Sequence, residues 1–151
     1  MKIEKARPED LETILKLQYL AYQTEADLFG TRDIPPLKQT LEEVTGEYNR
    51  GIILKMTDCN NVTIGSVRAY EKDGTVYIGK LMVHPDHRKK GYGSALLKAA
   101  EECFPGKRYE LFTSTRSIDN IRLYKKMGYE EFRQEAVSGD LIFVYMQKEA
   151  R

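Results

Sequence analysis

The chain has 151 residues, 41% hydrophobic and 31% charged, which suits one buried core and leaves little for a second domain. Its 24 Lys and Arg against 23 Asp and Glu give a formal charge of +1, so no global field draws it to nucleic acid or to an anionic membrane. No run approaches the roughly 18 to 20 apolar residues of a membrane span. The opening "MKIEKARPEDLE" lacks a signal-peptide apolar region, and Cys59, Cys103, His84 and His87 have no metal-ligand spacing; a cytoplasmic protein with no metal and no disulfide is the expectation.

In chain order, "MKIEKA" predicts a strand and "RPEDLETILKLQYLAYQTEADL" one helix, with Pro8 early, acidic residues in the first turn, and Leu11, Ile14, Leu15, Gln18 and Tyr22 as its inner stripe. The segment "FGTRDIPPLKQ" reads as an irregular loop, and Thr40 with Glu43 as a capping box opening a second helix, "TLEEVTGEYN". From Gly51 the pattern changes to three antiparallel strands, "GIILKMTD", "VTIGSVRAYEK" and "TVYIGKLMV", the last two joined at Asp73-Gly74. The third is apolar at both parities and so central, with Gly79 marking a bulge or a close backbone approach. A helix from Gly91 to Cys103, the strand "RYELFTS", the helix "SIDNIRLYKKMG" and the strands "YEEFRQEA" and "DLIFVYMQK" complete a mixed sheet with helices on its faces. No repeat or linker divides residues 1–151, which read as a single domain.

The chemistry concentrates in "VHPDHRKKGYGSALL", where a strand ends, a basic cluster follows and a helix begins. A helix start leaves backbone N–H groups unpaired and carries positive dipole charge; Gly91 and Gly93 let a diphosphate approach them, and Arg88 can add a charged contact. The stretch lacks the Gly-Lys-Ser/Thr of a Walker A loop, and Leu96 stands where a dinucleotide fingerprint needs a small residue.

That stretch, with "SIDNIRLYKKMGYEEF" downstream, resembles the GCN5-related N-acetyltransferases, the GNAT superfamily. The resemblance covers residues 79–132 closely and agrees in element order elsewhere. It implies a GNAT-like α/β domain, with a mixed, mainly antiparallel sheet of about six to seven strands and about four helices. It also implies acetyl-CoA as co-substrate, and transfer of its acetyl group to a primary amine by direct attack in a ternary complex. Arg88, Lys89, Lys90, Gly91, Tyr92, Gly93 and Ser94 would then bind the pyrophosphate, and the backbone at Met82 and Val83 would face the acetyl carbonyl and pantetheine arm. Tyr124 would protonate the departing sulfur, with Asn120 one turn earlier holding the cofactor or the tyrosine; Gly128 and Tyr129 complete the second block. Many members carry a glutamate on the central strand as general base, where this chain offers Lys80 and Tyr77; a water chain or Glu25 are the alternatives, and the base stays unassigned.

In the resembled family the region between the first two helices commonly forms a wall of the acceptor pocket, which implies Tyr22 and Glu25, in an aromatic and acidic stretch, as candidates for contact with a cationic acceptor, either a small molecule or a peptide amine. The competing function is a coenzyme A-binding sensor or interaction module of the same fold that does not turn over. Cys103 is expected to be a buried helix residue and His84 and His87 structural or loop residues. A homodimer is compatible with the chain, "DLIFVYMQK" being the strand considered for pairing across it.

Overall fold

Seven strands form one mixed sheet in the order β1-β2-β3-β4-β5-β7-β6 in a computed structural model, which describes residues 1–149. The strands are β1 (Lys2–Lys5), β2 (Ile52–Thr57), β3 (Thr63–Lys72), β4 (Thr75–Val83), β5 (Arg108–Ser114), β6 (Glu130–Ser138) and β7 (Leu141–Glu149). The helices are α1 (Leu11–Ala21), α2 (Gln23–Phe29), α3 (Pro35–Lys38), α4 (Leu41–Arg50), α5 (Tyr92–Glu102) and α6 (Ile118–Lys126). Every neighbouring pair of strands is antiparallel except β4 with β5. The expected mixed, mainly antiparallel α/β domain is therefore what forms.

Three local differences from the sequence reading have physical causes. The long first helix is two, because Tyr22 sits at φ −82°, ψ 1° and bends the axis between α1 and α2. The irregular loop contains one helical turn, α3, opened by Pro35 and Pro36 where their missing N–H groups cost nothing. Cys103 is exposed, because it caps the C-terminus of α5 instead of continuing its buried stripe. The capping box forms as expected: Thr40 Oγ1 accepts from the Glu43 N–H at 3.2 Å and Glu43 Oε1 accepts from the Thr40 N–H at 3.0 Å.

Apolar residues bury both faces of the sheet. One core joins Leu54, Ile64, Val76 and Ile78 to Leu96, Leu97 and Ala100 of α5, with Tyr124 and Tyr129 at its edge; the other joins Ile53 and Met82 to α1 and to Val44 of α4. The β4 strand is thus covered on both sides, as its unbroken apolar run implies.

The strand β7 lies between β5 and β6, with both edges filled, so pairing of this strand across a dimer is closed to it. The outer strand there is β6, exposed along its whole length.

Candidate active site

Two backbone irregularities open the middle of the sheet. Opposite β3, Arg68 pairs with Gly79 but Ser66 with Met82, so β4 carries one extra residue, and Lys80 takes a left-handed φ of 51° within that bulge. Beside it, β4 and β5 pair only at Thr75–Arg108, Val76–Tyr109 and Tyr77–Glu110. Beyond Tyr77 the strands part, leaving the β4 backbone from Gly79 to Val83 without a partner on that side.

The gap leads into a cavity of about 610 Å³. Leu81, Met82 and Val83 form one side of it, the loop and first turn of α5 another, and the α1–α2 bend and the start of α6 the rest. At the α5 end, Lys89 and Gly91 both take positive φ, 63° and 83°, and Gly91 occupies the N-cap position. A glycine there has no side chain to accept from the N–H groups of Tyr92, Gly93 and Ser94, which α-helix geometry leaves without intrahelical partners. A Cβ built on Gly91 meets no atom within 4 Å, so the space beside those N–H groups is open. Such a cradle fits a diphosphate.

Eleven of the residues singled out in the sequence line this one cavity: Tyr22, Glu25, Met82, Val83, Arg88, Lys89, Gly91, Tyr92, Gly93, Ser94 and Asn120. Lys90 and Tyr124 stand outside its lining. The Arg88 guanidinium is engaged within the protein, donating to Thr24 Oγ1 at 2.6 Å, the Ala21 carbonyl at 2.9 Å and the Val83 carbonyl at 3.3 Å. It ties the end of β4 to the α1–α2 bend. Glu25 is likewise held, accepting from Ser117 Oγ at 2.7 Å and from Asn120 Nδ2 at 3.4 Å, and Asn120 Nδ2 lies 3.3 Å from Thr113 Oγ1.

Tyr124 is 6% exposed behind this wall. Its place is fixed by the end of α6: Gly128 takes φ 96°, and the Tyr129 N–H closes back onto the Tyr124 carbonyl at 2.9 Å. Burial, with Tyr22 and the Glu25 carboxylate nearby, pushes the Tyr124 phenol well above its ordinary value. Tyr22 is shifted the same way, by burial and then by Glu25.

Sequence reasoning missed several lining residues. His87 lines the cavity, with Nδ1 buried and unpartnered, and Thr24 of α2, Arg116 of the β5–α6 connection and Leu123 of α6 join it. It also missed a second cavity, of about 290 Å³, lined by Glu47, Arg68, Gly79, Lys80 and Glu110 among others. The available signal was Arg68, the one charged residue within the stretch 63–70 of β3.

Residues 50–131 match the acetyltransferase (GNAT) domain, more than half of the chain. The chain belongs to the GNAT acetyltransferase family. The fold agrees across nearly the whole length with solved structures of low identity. One is ribosomal-protein-S18-alanine N-acetyltransferase from Escherichia coli (TM-score 0.77, 16% identity, 98% of this chain and 92% of that one). A second is yncA from Salmonella typhimurium, solved with its cofactor acetyl-CoA (0.74, 21%, 100% and 94%). A third is the PaiA N-acetyltransferase from Thermoplasma acidophilum in complex with coenzyme A (0.76, 19%, 99% and 99%). The Bacillus subtilis UPF0157 protein YqkA is 28% identical over 135 residues, 87% of this chain, and the chain spans only 38% of that curated relative's length.

Proposed function

We propose that this GNAT domain transfers the acetyl group of acetyl-CoA to a primary amine by direct attack within a ternary complex. The observation that carries the reading is the single cavity joining the open cradle at Gly91 to the unpartnered β4 backbone at Leu81–Val83. Acetyl-CoA bound there supplies a thioester carbonyl for an amine to attack and a thiol to leave. The N–H groups of Tyr92, Gly93 and Ser94 hold the diphosphate, with Lys89 adding positive charge at the rim. The β4 backbone, freed from pairing by the parting of β5, offers its N–H groups to the acetyl oxygen. Tyr124 keeps its phenolic proton at neutral pH, the state a donor to the leaving sulfur requires, and Asn120 and Glu25 fix the wall in front of it. Bound acetyl-CoA and coenzyme A in two of the structures of like fold support the choice of cofactor.

Calorimetric titration with acetyl-CoA, coenzyme A, NAD and ATP tests the cofactor assignment, and thiol release over a panel of amines tests the reaction. Selective binding of the two coenzyme A forms, lost in Gly91→Trp, with thiol release that depends on an amine, is the expected result. Equal binding of all four nucleotides would sink the assignment. Selective binding with no thiol release from any amine would favour a coenzyme A-binding sensor of the same fold.

A further inference from the structure

The second cavity lies over β4 where the gap begins, with Gly79 as its floor. Gly79 is exposed in the middle of the sheet, and a Cβ placed on it would meet nothing within 4 Å. Aromatic rings form one wall: Tyr70 and Tyr77 stack with centroids 5.3 Å apart, and Phe112 and Tyr145 stand at the same separation.

The other wall is charged and unbalanced. Arg68, 5% exposed, donates to Glu47 Oε2 at 3.0 Å, Gln39 Oε1 at 2.9 Å and Gln18 Oε1 at 2.6 Å, and its Nε is buried with no partner. Lys80 Nζ stands 4.0 Å from Oε1 of the same carboxylate, beyond hydrogen-bond reach, and Glu43 acts on it more weakly. The other carboxylate on the wall, Glu110, is taken by Arg108 at 2.8 Å. The buried Arg68 and the partly buried Lys80 therefore share one lining carboxylate beside open space, with Arg50 a further cation on the lining, an arrangement that favours a further anion. Burial holds the Lys80 ammonium below its ordinary value; Glu47 offsets this only in part, and Arg68 adds to it.

We propose that this cavity binds the carboxylate of the acceptor, with Lys80 as its ion partner and the aromatic wall holding an apolar or planar side chain, so that the acceptors are free amino acids. The inference rests on the amine-acetyltransferase reading and names its substrate class. About 290 Å³ is at the small end of small-molecule sites and suits a single amino acid. The two cavities adjoin along β4, where Gly79 and Lys80 line one and Leu81 the other. Tyr22 lines the first cavity, and Arg68 and Glu47 of the second act electrostatically on its hydroxyl. An amine anchored at Lys80 by its carboxylate thus points along β4 toward the unpartnered backbone.

The test uses matched pairs, each proteinogenic amino acid against the amine left by removing its carboxylate, such as L-phenylalanine against phenethylamine. Binding is measured by calorimetry with and without coenzyme A, and turnover by thiol release. At least one amino acid is expected to bind about ten- to hundredfold tighter than its amine, the range of a charge-assisted contact. In Lys80→Met that preference disappears, while acetyl-CoA affinity and unfolding temperature hold. Gly79→Leu, which fills the floor, abolishes amino-acid binding and leaves acetyl-CoA binding intact. If no amino acid outbinds its amine, or if the preference survives Lys80→Met, the proposal is overturned. Failure of coenzyme A to bind would overturn the acetyltransferase reading instead, and the amino-acid titrations without coenzyme A would still report on the cavity.

Discussion

Tyr124 and Arg88 show what single residues contribute and how far each could be read in advance. Burial raises the Tyr124 phenol, so the proton it is proposed to give stays in place across neutral and mildly alkaline pH. Tyr124→Phe is expected to lower kcat by about 10² to 10⁴, the usual scale for one acid–base group, with KM for acetyl-CoA nearly unchanged; an unaltered kcat would remove Tyr124 from the mechanism. The wild-type rate should also show no alkaline fall from this group below about pH 10, the ordinary phenol value, which a pH–rate profile checks. The turn that fixes the place of Tyr124 was legible because its motif is local, closed over five residues by Gly128 and Tyr129. The anchoring of Arg88 was not. Its partners Thr24 and Ala21 lie more than sixty residues away, and no local pattern distinguishes an arginine that grips phosphate from one that grips a helix end.

Among the elements, α2 depends most on others for its position. Arg88 holds one side of the α1–α2 bend, Ser117 and Asn120 hold Glu25, and Arg116 reaches both the Leu28 carbonyl and Asp140. A seven-residue helix is too short to persist on its own, so these contacts fix it over the cavity. Glu25→Ala should raise amide exchange within α2 several-fold while leaving α5 unchanged; equal protection in both proteins would show that α2 stands without the clamp. The packing of α5 is set elsewhere, at Gly65 of β3, where a Cβ would lie 2.9 Å from Leu96 Cδ1 and 3.2 Å from the Met82 carbonyl. Leu96 is fully buried and has no room to give, so Gly65→Ala is expected to destabilise by about 1–3 kcal/mol, measurable by urea unfolding. Hydrophobic periodicity found nearly every element because it is a property of consecutive residues. It could not find the bend at Tyr22, where an unbroken helical pattern crosses a break imposed by what the chain packs against.

For the whole molecule, the buried polar cluster and the divided sheet matter most; the irregularity at Gly79 was legible as a glycine inside a strand, but the cluster was not, since its hydrogen bonds span up to 50 residues in sequence. Burial works to raise the Glu47 carboxyl, but Arg68, Gln39 and Lys80 outweigh it and hold the group below its ordinary value. The unfolded chain therefore binds this proton more readily. The stabilisation is fully present above the ordinary carboxylate range and fades as pH falls through the lower folded value, so Glu47→Gln should flatten the acid limb of a stability–pH curve. The sheet itself is joined at its centre by three residue pairs, against seven between β5 and β7. In its strand pairing it is two half-sheets, β1 to β4 and β5 with β7 and β6, hydrogen-bonded to each other at one end only and otherwise held by the apolar core they share. A molecule lodged in the gap would touch both halves at once, replacing across the open end the cross-ties that the strands themselves do not make there.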